Sequence, residues 1–108
     1  MGQLYLQRFD YRGGIDREKL DAAWAIANKA MARHGNWGNV AKGVKHHHAY
    51  ATGSGGFGLI EVDDPKAFDQ YQIFHNNNYG HVATITFTPL ADLDAALAPV
   101  IAEIKAKL

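Results

Sequence analysis

The chain contains no cysteine. Disulfide staples, thiolate catalysis and zinc sites of the cysteine type are therefore excluded. Long apolar runs are also missing. The longest span only a few residues, against the roughly 20 that a membrane-crossing helix needs. Nor is there an excess of charge, because eleven acidic residues balance eleven basic ones. Nucleic acids and anionic membranes are thus unexpected partners, since both are met by a basic patch. The first residues, MGQLYLQRFDYR, lack the basic start, apolar run and small-residue cleavage site of a secretory leader. Leu6 stands where a myristoylation motif needs Ser or Thr. The expected location is cytoplasmic.

What is present suits one globular domain over residues 1–108. Apolar residues make up 47% and charged residues 20%, which is ordinary for such a domain. A chain of this size buries only roughly 60–70% of its unfolded surface, so pairing with a second copy would add needed burial. Six histidines add positive charge below about pH 6.5.

The element order can be read from periodicity and caps. Residues 3–11, QLYLQRFDY, suit a strand, broken by RGG at 12–14. IDREKLDAAWAIANKAMARHG follows as the clearest helix. Asp16 is its N-cap, Ile15 and Leu20 form a hydrophobic staple, and Gly35 stops it. Leu20, Ala23, Trp24, Ala27, Ala30 and Met31 line its apolar face. Residues 36–43 read as a loop. Val44–Tyr50 is a short strand, ATGSGG a six-residue turn, and 57–62 the returning strand. Asp64 and Pro65 begin a second helix, which NNNYG is expected to end. Residues 81–88 form a β-branched strand. Residues 90–108 are helical by pattern, with Pro99 expected to kink or split the helix.

The order β-α-β-β-α-β plus a last helix is that of the ferredoxin-like split unit, an α+β fold in which two helices cover one face of a four-stranded antiparallel sheet. The other face is then bare. Leu4 and Leu6 fall on one side of the first strand and Tyr5, Phe9 and Tyr11 on the other, so both faces carry sizeable apolar groups. Such a patch is larger than soluble monomers normally expose. A homodimer that covers it is the simplest expectation.

The whole chain, through this element order and most specifically through GGFGLIEVDDPKAFDQY, resembles the dimeric α+β barrel superfamily, and within it a DUF3303-like branch. The resemblance implies sheets packed face to face in a dimer, and a pocket between sheet and helices near the end of the second helix. It further implies chemistry of the kind seen in cofactor-free monooxygenases, polyketide cyclases, lactone isomerases or haem-degrading enzymes. Fold alone does not choose among these.

The candidate chemical groups are mostly histidines. Strict alternation puts His46, His48 and Tyr50 on one face of their strand and His47 on the other. A His pair of this spacing near Glu61 can hold a divalent metal, as part of a two-His, one-carboxylate set. It can equally form an acid–base pair, or be solvated strand polarity. His75 lies near the second helix's end, a position similar to that of a pocket histidine in polyketide cyclases of the superfamily. His81 lies across NNNYG from it. Arg8 can hold a substrate anion or pair with Glu61 or Asp10. Trp37 can line a pocket mouth or simply pack. The loop GSGG joins two strands instead of leading into a helix, which argues against a nucleotide phosphate site.

Three functional readings follow. The first is a homodimer that binds a small organic molecule, either as a binding protein or as a cofactor-independent cyclase, isomerase or monooxygenase. There His46, His48 or His75 is the base, Tyr50 or Tyr79 donates to an oxyanion, and Arg8, Trp37, Glu61, Tyr79 and His81 contact substrate. The second is a metal or haem protein using His46, His48 and Glu61. The third is a non-catalytic binding or assembly module.

Overall fold

A computed structural model describes residues 2–108. Its elements run β1 (Gln3–Tyr11), α1 (Arg17–His34), β2 (Val44–Thr52), β3 (Gly55–Val62), α2 (Pro65–Tyr79), β4 (Ala83–Pro89) and α3 (Leu93–Ala106). The four strands form one antiparallel sheet in the order β2-β3-β1-β4, an arrangement compatible with the ferredoxin-like fold.

The caps act as expected. The Asp16 carboxylate accepts from the Glu18 N–H at 3.1 Å, and that of Asp64 accepts from the Lys66 N–H at 3.0 Å. Gly35 closes α1 in the left-handed region, at φ 75°, with its N–H donating to the Met31 carbonyl. α1 buries Ala23, Ala27 and Ala30, whose small side chains let the helix approach the sheet. Ile15 and Leu20 join the same cluster.

α2 buries Ala67, Tyr71, His75 and Tyr79. The interval of four keeps all of them on one stripe. The three asparagines do not end this helix; they lie inside it. Tyr79 belongs to the buried stripe, and packing of that stripe outweighs the poor helix propensity of Asn. Asn78 also donates from Nδ2 to the Phe74 carbonyl at 2.9 Å.

The hairpin is tighter than the sequence suggests. Thr52 pairs with Gly55, so only Gly53 and Ser54 connect the strands. Gly55 and Gly56 are buried strand residues, and a Cβ on either would strike Phe9. These glycines serve close packing, which explains why they resemble a loop. At the other end of the sheet, His81 and Val82 precede β4, and Val82 is buried with its N–H on the Tyr79 carbonyl.

Two clusters fill the space between helices and sheet. One gathers Val40, Val44, Ile60, Val62, Ala67 and Tyr71. The other gathers Ala23, Ala27, Tyr79, Val82 and Ala83, with Phe9, Trp24 and Trp37 packed against them. Ile60 alone, 1% exposed, contributes about 1.5–3 kcal/mol by leaving water.

Register fixes the faces. Tyr5, Gln7 and Phe9 of β1 pair with Ile60, Gly58 and Gly56 and face the helices. Leu4, Leu6, Arg8 and Asp10 face away, as do Phe57, Leu59 and Glu61 of β3 and Thr84, Thr86 and Thr88 of β4. The strand-one alternation therefore stands as read.

β2 departs from simple alternation. His46 pairs with Ile60 and His48 with the adjacent Leu59, so the ladder carries a bulge at His47. One extra residue flips the rest of a strand. His46 consequently faces the helices, while His48 and Tyr50 share the open face. The expectation that His46 accompanies His48 and Tyr50 is overturned.

α3 does not pack into the body of the chain. Asp92 caps it by accepting from the Ala95 N–H at 2.9 Å, and it runs through Pro99 as one continuous helix, not two. None of its residues is buried. The radius of gyration is 17.2 Å, against about 13 Å for a compact chain of this length. The long dimension of 61 Å reflects this projecting helix. No helix among the described residues is long and apolar enough to cross a membrane.

Candidate functional site

Beneath α1 and α2, over the β1–β4 side of the sheet, lies a cavity of about 50 Å³. Its walls are Phe9, Leu20, Ala23, Trp24, Ala27, Val82, Ala83 and Ile85, with Trp37 and Tyr79, and its polar groups are Gln7, Tyr11 and His75. No Lys, Arg, Asp or Glu lines it. It reaches the end of α2, where His75 and Tyr79 join its lining.

A chain of buried polar groups forms one side. The Tyr71 hydroxyl donates to Gln7 Oε1. Gln7 Nε2 lies 2.9 Å from His75 Nε2, and His75 Nδ1 lies 2.8 Å from the Tyr71 carbonyl oxygen. A carbonyl can only accept, so Nδ1 carries the imidazole proton and Nε2 accepts from the Gln7 amide. Burial lowers the His75 pKa from 6.5 to about 4, because the charged imidazolium would lose its hydration. The ring sits between two neighbours on its own helix, with centroids 4.4 Å from Tyr71 and 4.9 Å from Tyr79.

Aromatic rings close the other side. Trp24 and Trp37 meet at 81° with centroids 5.9 Å apart, and Phe9 stands at 88° to Trp37. Their polar ends are satisfied locally. Trp24 Nε1 donates to the Tyr11 hydroxyl at 3.1 Å. The Tyr79 hydroxyl donates to the Trp37 carbonyl at 2.6 Å. Burial raises the Tyr79 and Tyr71 pKa values above the usual phenol range.

Of the residues singled out in the sequence, three meet at this cavity: His75, Trp37 and Tyr79. His46 stands behind Trp37, ring centroids 5.0 Å apart. Its Nδ1 is buried without a hydrogen-bond partner. Burial first, then His48 and His47, lowers its pKa.

The others lie elsewhere. The rings of His48 and Tyr50 lie side by side on the open face, tilted at 52° with centroids 4.7 Å apart. Arg8 is also there, paired with Asp10 at 3.1 Å. Glu61 bonds His47 Nε2 at 3.0 Å and the Gly2 N–H at 3.2 Å; these bonds hold its carboxyl below its usual range. His81 is exposed beyond α2. The proposed metal set does not converge, because His46 and His48 point to opposite faces and Glu61 is engaged by His47. Among the described residues no group of three or more His, Cys, Asp or Glu side chains is placed to hold a metal ion.

Sequence reasoning missed Gln7, Tyr11, Trp24 and Tyr71 as parts of the site. The available signal was Gln7 itself, a polar residue in phase with Tyr5 and Phe9 on the helix-facing side of β1. Comparisons with protein-family models, with curated proteins and with solved structures find no match.

Proposed function

We propose that this protein binds a small, uncharged, largely apolar molecule carrying one hydrogen-bond acceptor, in the cavity between α1 and the sheet, and that it does so as a homodimer. The observation that carries the reading is a polar chain, Tyr71–Gln7–His75, buried beside an apolar hollow. A glutamine amide has two N–H groups. One goes to His75, and the second finds no acceptor among the described residues. An acceptor such as a ketone oxygen would take it. A carboxylate ligand would arrive without a cation to meet it, at high desolvation cost.

The hollow has about a third of the ~150 Å³ that admits benzene in an engineered cavity. It therefore suits a group of a few heavy atoms, or a larger one once Trp24 or Trp37 turns aside. Binding is favoured over catalysis. An imidazole with a pKa of about 4 is a weak general base near neutrality, and both its nitrogens are engaged. The dimer reading rests on the open face, where Leu4 and Leu59 are 36% and 39% exposed and Tyr50 is 58% exposed.

Nuclear magnetic resonance titration tests the binding. Butanone is expected to shift the Trp24 and Trp37 indole signals saturably, with butanoate leaving them in place. Gln7→Leu should abolish the response. A wild-type protein indifferent to butanone, or one that responds equally to butanoate, would sink the proposal.

A further inference from the structure

The structure assigns α3 a partner: we infer that it is an exchanged arm which seats its apolar side on the open sheet face of a second copy of this chain. The inference rests on the homodimer reading and specifies how the copies hold each other.

Four observations lead there. First, Leu97, Val100, Ile101 and Ile104 are 42–57% exposed, on a helix that buries none of its residues. An apolar stripe of this kind needs a surface. Second, the arm is launched in a set direction. The Leu90 N–H is held by the Leu4 carbonyl and the Leu90 carbonyl by Gln3 Nε2. Only Ala91 and Asp92 remain as hinge before the helix begins. So short a connection does not fold a helix back over its own sheet without releasing those bonds, and short hinges favour exchange between copies.

Third, the receiving face matches. At 14 residues the arm is about 21 Å long, and β1, at nine residues, runs about 30 Å. On that face Arg8 pairs with Asp10, His47 bonds Glu61, and Lys45 stands opposite Glu61, which leaves the apolar strip of Leu4, Leu6, Phe57 and Leu59 between them to be covered. A twofold axis repeats the contact, so it counts twice towards the roughly 1,200 Å² at which specific interfaces begin. Fourth, a lipid surface is the poorer occupant. The helix carries Asp92, Asp94 and Glu103 against Lys105 and Lys107, whereas interfacial helices present a basic polar side. The chain as a whole is neutral, so two copies meet without net repulsion.

The absence of native cysteine makes the test direct. Chains carrying Ile101→Cys are mixed with chains carrying Leu59→Cys, and a short bismaleimide is added. A cross-linked species of twice the chain mass, formed only in the mixture, is the expected result; its absence overturns the placement. In parallel, sedimentation compares wild type with Leu97→Glu/Ile101→Glu/Ile104→Glu, a variant whose changes fall on exposed positions and whose fold is checked by circular dichroism. A dimeric wild type and a monomeric variant support the arm. A variant that stays dimeric overturns the arm but leaves pairing intact. A monomeric wild type overturns both, as does a monomer that floats with phosphatidylcholine vesicles.

Discussion

At the scale of single residues, His75 couples the site to pH. In the unfolded chain its imidazole protonates near 6.5, but in the folded protein only near 4. Between those values the unfolded state takes a proton that the folded state refuses, so acid favours unfolding. The contribution is fully present above pH 6.5 and is lost as pH falls towards 4, by about 3 kcal/mol over that window. Urea titrations at pH 7 and pH 4.5 are expected to show the loss in wild type and a visibly smaller one in His75→Gln. Equal losses would mean that His75 is not held neutral. His46, also lowered by burial, acts in the same direction and stays in both proteins. The residue-level reading caught His75 but not Gln7, whose partners lie 64 and 68 positions away along the chain. A lone glutamine in a strand looks like solvent-facing polarity until the opposing helix is placed over it.

At the scale of elements, most of the fold was legible because it is written in local chemistry. Asp16, Gly35, Asp64 and Pro65 mark helix ends through caps that involve residues two to four positions away, and β4 announces itself by Thr, Ile and Phe in alternation. Errors arose where distant packing decided. The asparagines after His75 have turn chemistry, yet Tyr79 draws them into α2. This gives a discriminating prediction. Asn76 and Asn77 are exposed within a helix, so Asn76→Ala/Asn77→Ala should stabilise the protein by about 1 kcal/mol in all. A thermal melt should rise by roughly 4–8 °C, whereas residues needed for a turn would lower it. The histidine strand failed for a related reason. Alternation assumes an unbroken ladder, and nothing local in KHHHAY announces that His47 is the extra residue.

At the scale of the whole molecule, composition foretold a neutral protein and the element order one bare sheet face, and the register places Leu4, Leu6, Phe57, Leu59 and Tyr50 there. It did not foretell that the last helix stands clear of the body, since an apolar stripe reads the same whether it meets its own core or a neighbour. Neutrality has its own consequence. With a sequence pI near 7.0, solubility should pass through a minimum near pH 7 and improve towards pH 5.5 as the net charge moves away from zero. Light scattering of concentrated samples across that range checks it; flat turbidity would count against the charge argument. The bulge at His47 matters at this scale as well. β2 forms one free border of the sheet, and β4, which ends in Pro89, forms the other. An unguarded border recruits strands from other molecules without limit. The bulge interrupts the ladder on one side, and Pro89 withholds an N–H at the end of the other, which shortens the template for such recruitment. Open-ended growth into fibres is thereby discouraged.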